Sequence, residues 1–291
     1  MSQIVNRSEP RQIRKDSPVL ALIGKIVLYI VLIFVSIFTL IPFVWMISSS
    51  LKLDREVFVY PIRWIPETFH WENYSLIWQK VPLLTYFKNT ATIAICVTIL
   101  QTLTSSFAAY AFAKLRFKGR DILFMAYIAT IAVPWQAYML PQFIMMRSMG
   151  LYDTLVAMMV LQAFSAFGVF LMRQFYQGVP TELCEAARID GLSEYGIWAR
   201  IMLPLSKAAI ATLVIFTFIG TWNDYMGPMI YLTRDFNKTI QVGLRRFIQE
   251  NSSDYHLIMA ASMVSLLPVS VVFLCLQKYF IEGIATSGLK G

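Results

Sequence analysis

The chain has 291 residues, of which 57% are hydrophobic and only 14% are charged, and its mean hydropathy is +0.60. In soluble domains about a quarter of all residues are charged. This composition therefore excludes an ordinary soluble protein and indicates a membrane protein. The net charge of +8 is compatible with a nucleic-acid partner. The basic residues crowd beside apolar segments, however, and the positive-inside rule explains this pattern without nucleic acid.

Six apolar segments are long enough to cross a bilayer, whose core of about 30 Å needs about 20 helical residues. The fifth is interrupted by a single acid, Asp224. We therefore predict an all-α, polytopic membrane protein with six transmembrane helices. The predicted spans are Ile26–Ile47, Asn89–Ala113, Ile122–Met146, Thr154–Met172, Ala208–Asn223 continued by Tyr225–Thr233, and Leu257–Gln277.

Basic residues flank these spans unevenly, which predicts an orientation. Several precede the first span within residues 1–19, and four more lie within 114–120, after the second span. With the N-terminus in the cytoplasm, most of the 25 Lys and Arg residues face the cytoplasm, as the positive-inside rule requires. We therefore predict a cytoplasmic basic tail over residues 1–19, a transmembrane domain over 20–291, and both termini inside. The first span lacks a following cleavage pattern, so we expect it to stay as a signal anchor.

Two features of the spans concern packing. Ser105, Ala109 and Ala113 lie four residues apart in the second span, and such small faces let membrane helices approach closely. Pro134 and Pro228 interrupt predicted spans. They either kink helices for packing or mark irregular backbone near a translocation path, which is tolerated where a cavity or a neighbour satisfies the freed carbonyls. Both interpretations stay open at this point.

A polar segment over residues 179–204, centred on TELCEAARIDGLSEYGIWARIMLP, stands between the fourth and fifth spans. Thr181 is expected to cap a helix that begins at Glu182, where an acid is favourable near the positive end of the helix dipole. Gly191 permits the left-handed residue that ends this helix.

A second helical segment is expected over residues 194–202, capped by Ser193 and ending before Pro204. The first helix lacks bulky aromatic anchors, so a helix lying on the membrane surface is the weaker interpretation. Its small side chains, Ala186 and Ala187, favour docking into a groove on another protein.

This segment closely resembles the cytoplasmic EAA motif of the permease subunits of binding-protein-dependent ABC importers. The strings FLMRQFYQGVPTELCEAARIDGLSE, NDYMGPMIYL and YFIEGIATSGLKG are similar to the carbohydrate (maltose-type) branch of that family, and the resemblance covers roughly residues 20–291. It implies that the segment is a coupling helix seated in a cleft of an ATPase subunit. The residues it assigns to ATPase coupling are Glu185, Ala186, Ala187, Asp190, Gly191, Ile201, Leu203 and Pro204.

The resemblance also implies an assembly. The partners would be a second homologous permease subunit, two ATP-binding subunits and an extracytoplasmic sugar-binding protein, in a bacterial cytoplasmic (inner) membrane. ATP and Mg would be bound by the ATPase subunits, and none by this chain. The polar loop between the last two spans would face the binding protein, with Arg245, Arg246 and Phe247 as contact candidates.

Candidate residues for a substrate path come from the residues themselves. Asp224 is the one acid inside a predicted span, and an ionisable group there is a functional hypothesis. Its neighbours add a stacking surface and polar groups of the kind that bind sugars. The candidates are Trp222, Asn223, Asp224 and Tyr225, with Gln136 and Tyr138 in the outer half of the third span.

Two other classes of protein remain as alternatives. An ion-coupled secondary transporter of small polar solutes should show inverted repeats and several intramembrane ionisable residues, and neither is visible here. A membrane enzyme would need a reactive constellation. The sequence contains no Walker A, GxSxG or HExxH motif, and its cysteines, Cys96, Cys184 and Cys275, are too scattered for a metal site. We therefore expect a permease that is not itself catalytic and that binds no metal.

Overall fold

The computed structural model describes residues 18–248 and 254–288, and these residues form helices joined by turns and short loops. The predicted all-α class is confirmed. Residues 1–17 of the predicted basic tail lie outside the described residues, so that prediction stays open.

Fifteen α-helices follow one another along the described chain, with short 3-10 segments at Thr130–Ala132, Asp235–Asn237 and Arg245–Phe247 and a π-helical turn at Trp198–Met202. The α-helices are α1 Pro18–Ser50, α2 Asp54–Val57, α3 Asn73–Lys80, α4 Leu83–Lys114, α5 Arg120–Ala129, α6 Trp135–Ser148, α7 Leu155–Leu161, α8 Ala166–Gln177, α9 Thr181–Ile189, α10 Glu194–Ile197, α11 Leu203–Leu205, α12 Lys207–Trp222, α13 Met226–Tyr231, α14 Ile240–Leu244 and α15 Tyr255–Gly288.

Three of these helices, α1, α4 and α15, are each long and apolar enough to cross a bilayer without a break. Three further candidates are pairs of helices that bend sharply at a short break. They are α5 with α6, α7 with α8, and the α10–α11 stretch with α12, bent by 100°, 45° and 82°. The described residues therefore contain three candidate spans, or six if each bent pair counts as one span.

The third predicted span, Ile122–Met146, is not one straight helix. A 3-10 turn follows α5, and the chain then turns by 100° before α6. Pro134 causes this break, because the residue before a proline is pushed out of the helical region, and Val133 has an extended ψ of 113°. Pro42, Pro141 and Pro268, by contrast, lie inside helices.

The fourth and fifth predicted spans are also interrupted. In the fourth, α7 ends at Leu161 and Ser165 starts α8 by accepting a hydrogen bond from the Gly168 N–H at 3.0 Å. In the fifth, α12 ends at Trp222, and a short break around Asp224 precedes α13. Polar caps thus satisfy part of the backbone where the helical ladder stops.

The small-residue face of α4 packs closely on α8. Ser105 and Ala109 are fully buried. A Cβ added to Gly168 of α8 would lie 3.0 Å from the Ser105 Cβ and 3.2 Å from Leu213. The glycine is therefore what allows the two helices to meet, as expected for membrane helices that associate through packing.

The loops gather at two opposite ends of the helices. At one end the Lys114 Nζ donates to the Val179 carbonyl at 2.5 Å, so the loop after α4 meets the polar segment before α9. At the other end Asn89 donates to the Phe236 carbonyl at 2.7 Å, and Lys80 pairs with Asp254 at 2.8 Å. The predicted cytoplasmic loops therefore contact one another, and so do the predicted external loops.

Candidate functional site

The helix of the polar segment starts one residue earlier than predicted. Helix α9 begins at Thr181 itself, and the Thr181 side chain makes no capping hydrogen bond, because Pro180 occupies the capping position with a ψ of 135°. The turn is as expected, since Gly191 has a φ of +82°. Ser193 caps α10 by accepting from the Gly196 N–H at 3.3 Å, which confirms the second cap.

The second segment does not stop before Pro204, and that prediction was wrong. The helix continues through the π-helical turn, whose last bond runs from the Leu203 N–H to the Trp198 carbonyl, into α11. The wider turn accommodates the proline ring, which would clash in a regular α-helix. Ile201 and Leu203 are half-buried, and Pro204 is exposed.

One face of α9 packs against its own chain. Cys184 is fully buried and Ala187 is 5% exposed, and the Cys184 thiol lies 3.9 Å from the Met202 sulfur. Burial raises the pKa of the Cys184 thiol, so it stays protonated and unreactive. Ala187 therefore serves internal packing, and Ala186 alone of the predicted alanine pair is exposed.

The opposite face of α9 projects from the chain. Glu185 and Asp190 are exposed there, together with Gly191 at the turn. Ile189, which the sequence interpretation missed, is 87% exposed. It lies on the same exposed face as Glu185, because residues i and i+4 of a helix share a face. The sequence alone did not identify it, because which face of α9 is exposed depends on which face packs against the rest of the chain.

An ion pair and a tyrosine hydrogen bond connect this segment to α4. The Arg188 Nε donates to a Glu194 carboxylate oxygen at 2.6 Å, and the Tyr110 hydroxyl of α4 donates to the other oxygen of the same carboxylate. The hydrogen bond from Arg188 holds the pKa of Glu194 below its ordinary value. Phe107 of α4 stacks on Tyr195 with ring centroids 5.5 Å apart. The polar segment and α4 are therefore joined by both a hydrogen-bonded network and an aromatic contact.

A cavity of about 470 Å³ lies among the membrane helices, at the place where three helix breaks meet. Trp135, at the start of α6, lines it, as do Gln162 and Ser165 in the α7–α8 break and Asp224 in the α12–α13 break. Non-helical backbone at membrane depth occurs where it is buried in protein or lines a water-filled cavity. The structure therefore favours the cavity interpretation of Pro134 over packing kinks alone.

Two of the predicted substrate-path residues line this cavity, namely Asp224 and Tyr138. Trp222 does not, because it is 1% exposed and its indole N–H donates to the Ser265 carbonyl at 3.0 Å. It is a core residue and offers no stacking surface to a ligand, so this expectation was wrong.

The other three candidates lie outside the cavity lining. Asn223 is exposed and accepts a hydrogen bond from Gln241 at 3.1 Å. Tyr225 has the Arg245 guanidinium over its ring at 5.6 Å. Gln136 is exposed on α6. None of the three is among the residues that line the cavity.

Sequence interpretation missed the amides that form the polar part of the cavity. Gln142 accepts from the Trp135 indole N–H at 2.9 Å and from the Tyr231 hydroxyl at 3.0 Å. Gln162 donates to Asp224 at 2.9 Å and accepts from the Thr221 hydroxyl at 2.9 Å. Glutamine inside an apolar span was the available signal, because each buried amide needs partners.

The loop predicted to face a binding protein divides into exposed and buried residues. Arg245 and Arg246 are exposed, and Arg246 pairs with Asp235. Phe247 is 1% exposed and belongs to a core cluster with Tyr86. Phe247 is therefore unavailable as a contact residue, because it anchors the loop on α4. Residues 249–253 of the same loop lie outside the described residues.

Among the residues that the structure describes, no group of three or more His, Cys, Asp or Glu side chains is arranged to hold a metal ion. The two histidines are each beside a carboxylate, His70 at 2.5 Å from Glu72 and His256 at 3.4 Å from Asp54.

Comparisons with known proteins agree with this architecture. Residues 101–286 match the family described as binding-protein-dependent transport system inner membrane component. The chain is 32% identical to the arabinooligosaccharides transport system permease protein AraQ of Halalkalibacterium halodurans, over 96% of this chain and 99% of that protein. It is 31% identical to the lactose transport system permease protein LacG of Rhizobium radiobacter, over 90% and 95% of the two chains.

A solved structure is similar over nearly the whole fold. It is a crystal structure of a bacterial ABC transporter involved in the import of the acidic polysaccharide alginate, with a TM-score of 0.79 and 25% identity over 91% of this chain and 99% of that one. The matched region and the identity over almost full length show that the chain belongs to the family of binding-protein-dependent transport system inner membrane components.

Proposed function

We propose that this chain is one permease subunit of an ATP-driven importer that moves a sugar or oligosaccharide across a bacterial cytoplasmic membrane. Family membership supports a binding-protein-dependent import system. The relatives named for arabinooligosaccharides and lactose support a carbohydrate cargo. The family gives no support to the ion-coupled alternative.

The exposure of one face of α9 is the observation that supports a coupling role for this helix. Glu185, Ala186 and Ile189 stand outside the packed chain, and the opposite face of the same short helix is buried. A helix with this division is fixed to its own subunit while its outer face is available to a partner. We assign that partner as an ATP-binding subunit.

The mechanism follows from the rigidity of this connection. Closure of two ATP-binding subunits would draw two such helices together, and this chain transmits the movement through Glu194 to Tyr110 of α4. Switching between inward-open and outward-open states then requires rigid-body movement of packed helices. This chain supplies the docking face of α9, the connection from α9 to α4, and part of the substrate path. The partner subunits hold ATP and Mg.

The proposed assembly contains a second homologous permease subunit, two ATP-binding subunits and an extracytoplasmic sugar-binding protein. We place the end carrying α9, and both termini, in the cytoplasm, because the basic loop over residues 114–120 lies at that end. The loop containing Arg245 and Arg246 then faces the binding protein. The chain has no catalytic step of its own in this arrangement.

Two variants of α9 and its turn test the proposal. Glu185→Lys reverses an exposed charge on the docking face, and Gly191→Val places a branched residue at a φ of +82°. We expect both to abolish ATP-dependent uptake while the chain still inserts in the membrane. Glu67→Lys is the matched control, because Glu67 is an exposed residue of the loop between α2 and α3, at the other end of the molecule. Normal transport by either test variant would refute the coupling role.

A further inference from the structure

The cavity at the three helix breaks offers hydrogen-bond donors of fixed direction. The Gln142 carbonyl oxygen accepts from the Trp135 indole N–H and from Tyr231. Because an indole N–H can only donate, it fixes which end of the amide faces it. The NH₂ group of Gln142 therefore remains a donor for a ligand in the cavity.

The same cavity offers acceptors on its other wall. The Asp224 carboxylate accepts from Gln162 at 2.9 Å and from the Gly227 N–H at 3.1 Å. A carboxylate has about four acceptor positions, so acceptor capacity remains after these two bonds. Gly227 is required for this placement, since a Cβ there would lie 2.6 Å from the carboxylate and 2.8 Å from Met158.

Exposed aromatic surface completes the lining. Phe164 is 69% exposed and Tyr138 is 42% exposed, and both border the cavity with Trp135. Pockets for small ligands combine such apolar walls with a few placed polar groups. A sugar ring fits this combination, because its C–H faces pack on aromatic rings and each hydroxyl both donates and accepts.

The charged groups that line the cavity favour neutral sugars over acidic ones. Of the described residues that line it, none is Lys, Arg or His, and Asp224 is the single ionisable acid. A uronate placed here would have a carboxylate near Asp224 and no cation to pair with, and an unpaired charge in such a site is costly.

We propose that this cavity is a binding subsite of the permease for a neutral sugar ring, with Gln142 as donor, Asp224 as acceptor and Trp135, Tyr138 and Phe164 as the apolar walls. The inference rests on the proposed function and adds to it the substrate class: neutral glycans are accepted, and uronate oligomers are disfavoured.

The test is ATP-dependent uptake by the complete importer, with its binding protein, of two panels of labelled oligosaccharides. One panel contains neutral di- to tetrasaccharides of arabinose, galactose and glucose, and the other contains galacturonate and alginate oligomers of the same lengths. We expect uptake from the neutral panel and at least about tenfold lower uptake of every uronate oligomer.

Two isosteric variants connect that preference to the cavity. Gln142→Glu keeps the oxygen that Trp135 and Tyr231 bond but removes the NH₂ donors, so we expect about a tenfold loss of uptake efficiency for the neutral substrate. Asp224→Asn removes the charge without changing shape, so we expect the preference over uronates to fall several-fold. Gln174→Leu is the control, since Gln174 is an exposed amide of α8 that does not line the cavity, and it should leave uptake unchanged.

Each outcome decides the question. Uptake of the uronate panel in preference to the neutral one would overturn the inference and leave the importer function standing. Neutral uptake that Gln142→Glu does not reduce would also overturn it. The expected reduction is measured in a variant complex that is present in equal amount and retains its ATPase activity. Transport of neither panel would contradict the proposed sugar import itself, and the inference with it.

Discussion

At the scale of single residues, the sequence predicted local conformations correctly where short-range backbone preferences determine them. The left-handed conformation of Gly191 and the cap at Ser193 follow from short-range rules, and both are present. Trp222, predicted to stack on a substrate, and Phe247, predicted to contact the binding protein, are both buried. An aromatic residue suits a core and a binding surface equally well, and the direction of its side chain depends on neighbours that the sequence does not reveal.

Asp153 joins two loops and provides a prediction about stability. It is 5% exposed, has a φ of +58°, and accepts from the Thr233 and Arg234 amides at 2.8 and 3.1 Å. Asp153→Ala would leave both amides without this acceptor and place alanine in a left-handed conformation, at a cost of roughly 2 kcal/mol. We expect a lower melting temperature in detergent, with Asp153→Asn intermediate. A melting temperature for Asp153→Ala equal to that of the wild type would rule out this role.

The pH dependence of the same contact has a definite sign. Burial alone would raise the pKa of Asp153, but hydrogen bonds from the amides of Arg234 and Thr233 outweigh burial, and the folded-state pKa is lowered. The stabilisation is therefore present above the unfolded-state pKa and is lost as the pH falls through the lower folded-state pKa. We expect the difference in melting temperature between wild type and Asp153→Asn to stay constant from about pH 8 to about pH 5.5. A difference that vanishes within this window would contradict the assignment.

At the scale of elements, the sequence indicated which segments are apolar but not where they bend. Pro134 and Pro141 look alike in the sequence, yet the first ends a helix and the second lies within one. A proline break persists where other groups satisfy the freed carbonyls, and those groups belong to distant segments. The cavity was therefore only partly predictable, since it exists where three such breaks converge.

The contact between α4 and α8 predicts a compensating pair of substitutions. Gly168→Ala places a methyl group against Ser105, so the helices must separate and the melting temperature should fall. Adding Ser105→Gly removes the obstructing side chain and should restore much of the loss. Gly220→Ala is the control, because an added Cβ there meets nothing within 4 Å. If the double variant were no more stable than Gly168→Ala, the close approach would not be the cause.

At the scale of the whole molecule, the alternation of loops was predictable because charge bias and span count act over the entire chain. The observed meeting of Lys114 with Val179, and of Asn89 with Phe236, agrees with the predicted grouping of loops. The exposed face of α9 was less predictable. The resemblance to the EAA motif indicated Glu185, whereas the exposure of Ile189 became visible only once Cys184 and the rest of the buried face of α9 were placed.

The most direct test of the central claim is a crosslink from the exposed face of α9 in the assembled importer. The chain would carry Ile189→Cys with a photoactivated maleimide, in a background of Cys96→Ser and Cys275→Ser, while the buried Cys184 is retained. Phe236→Cys, exposed at the opposite end, is the control. We expect position 189 to crosslink to the ATP-binding subunit and position 236 not to. Labelling of position 189 from outside intact cells, or no crosslink to that subunit in any nucleotide state, would contradict it.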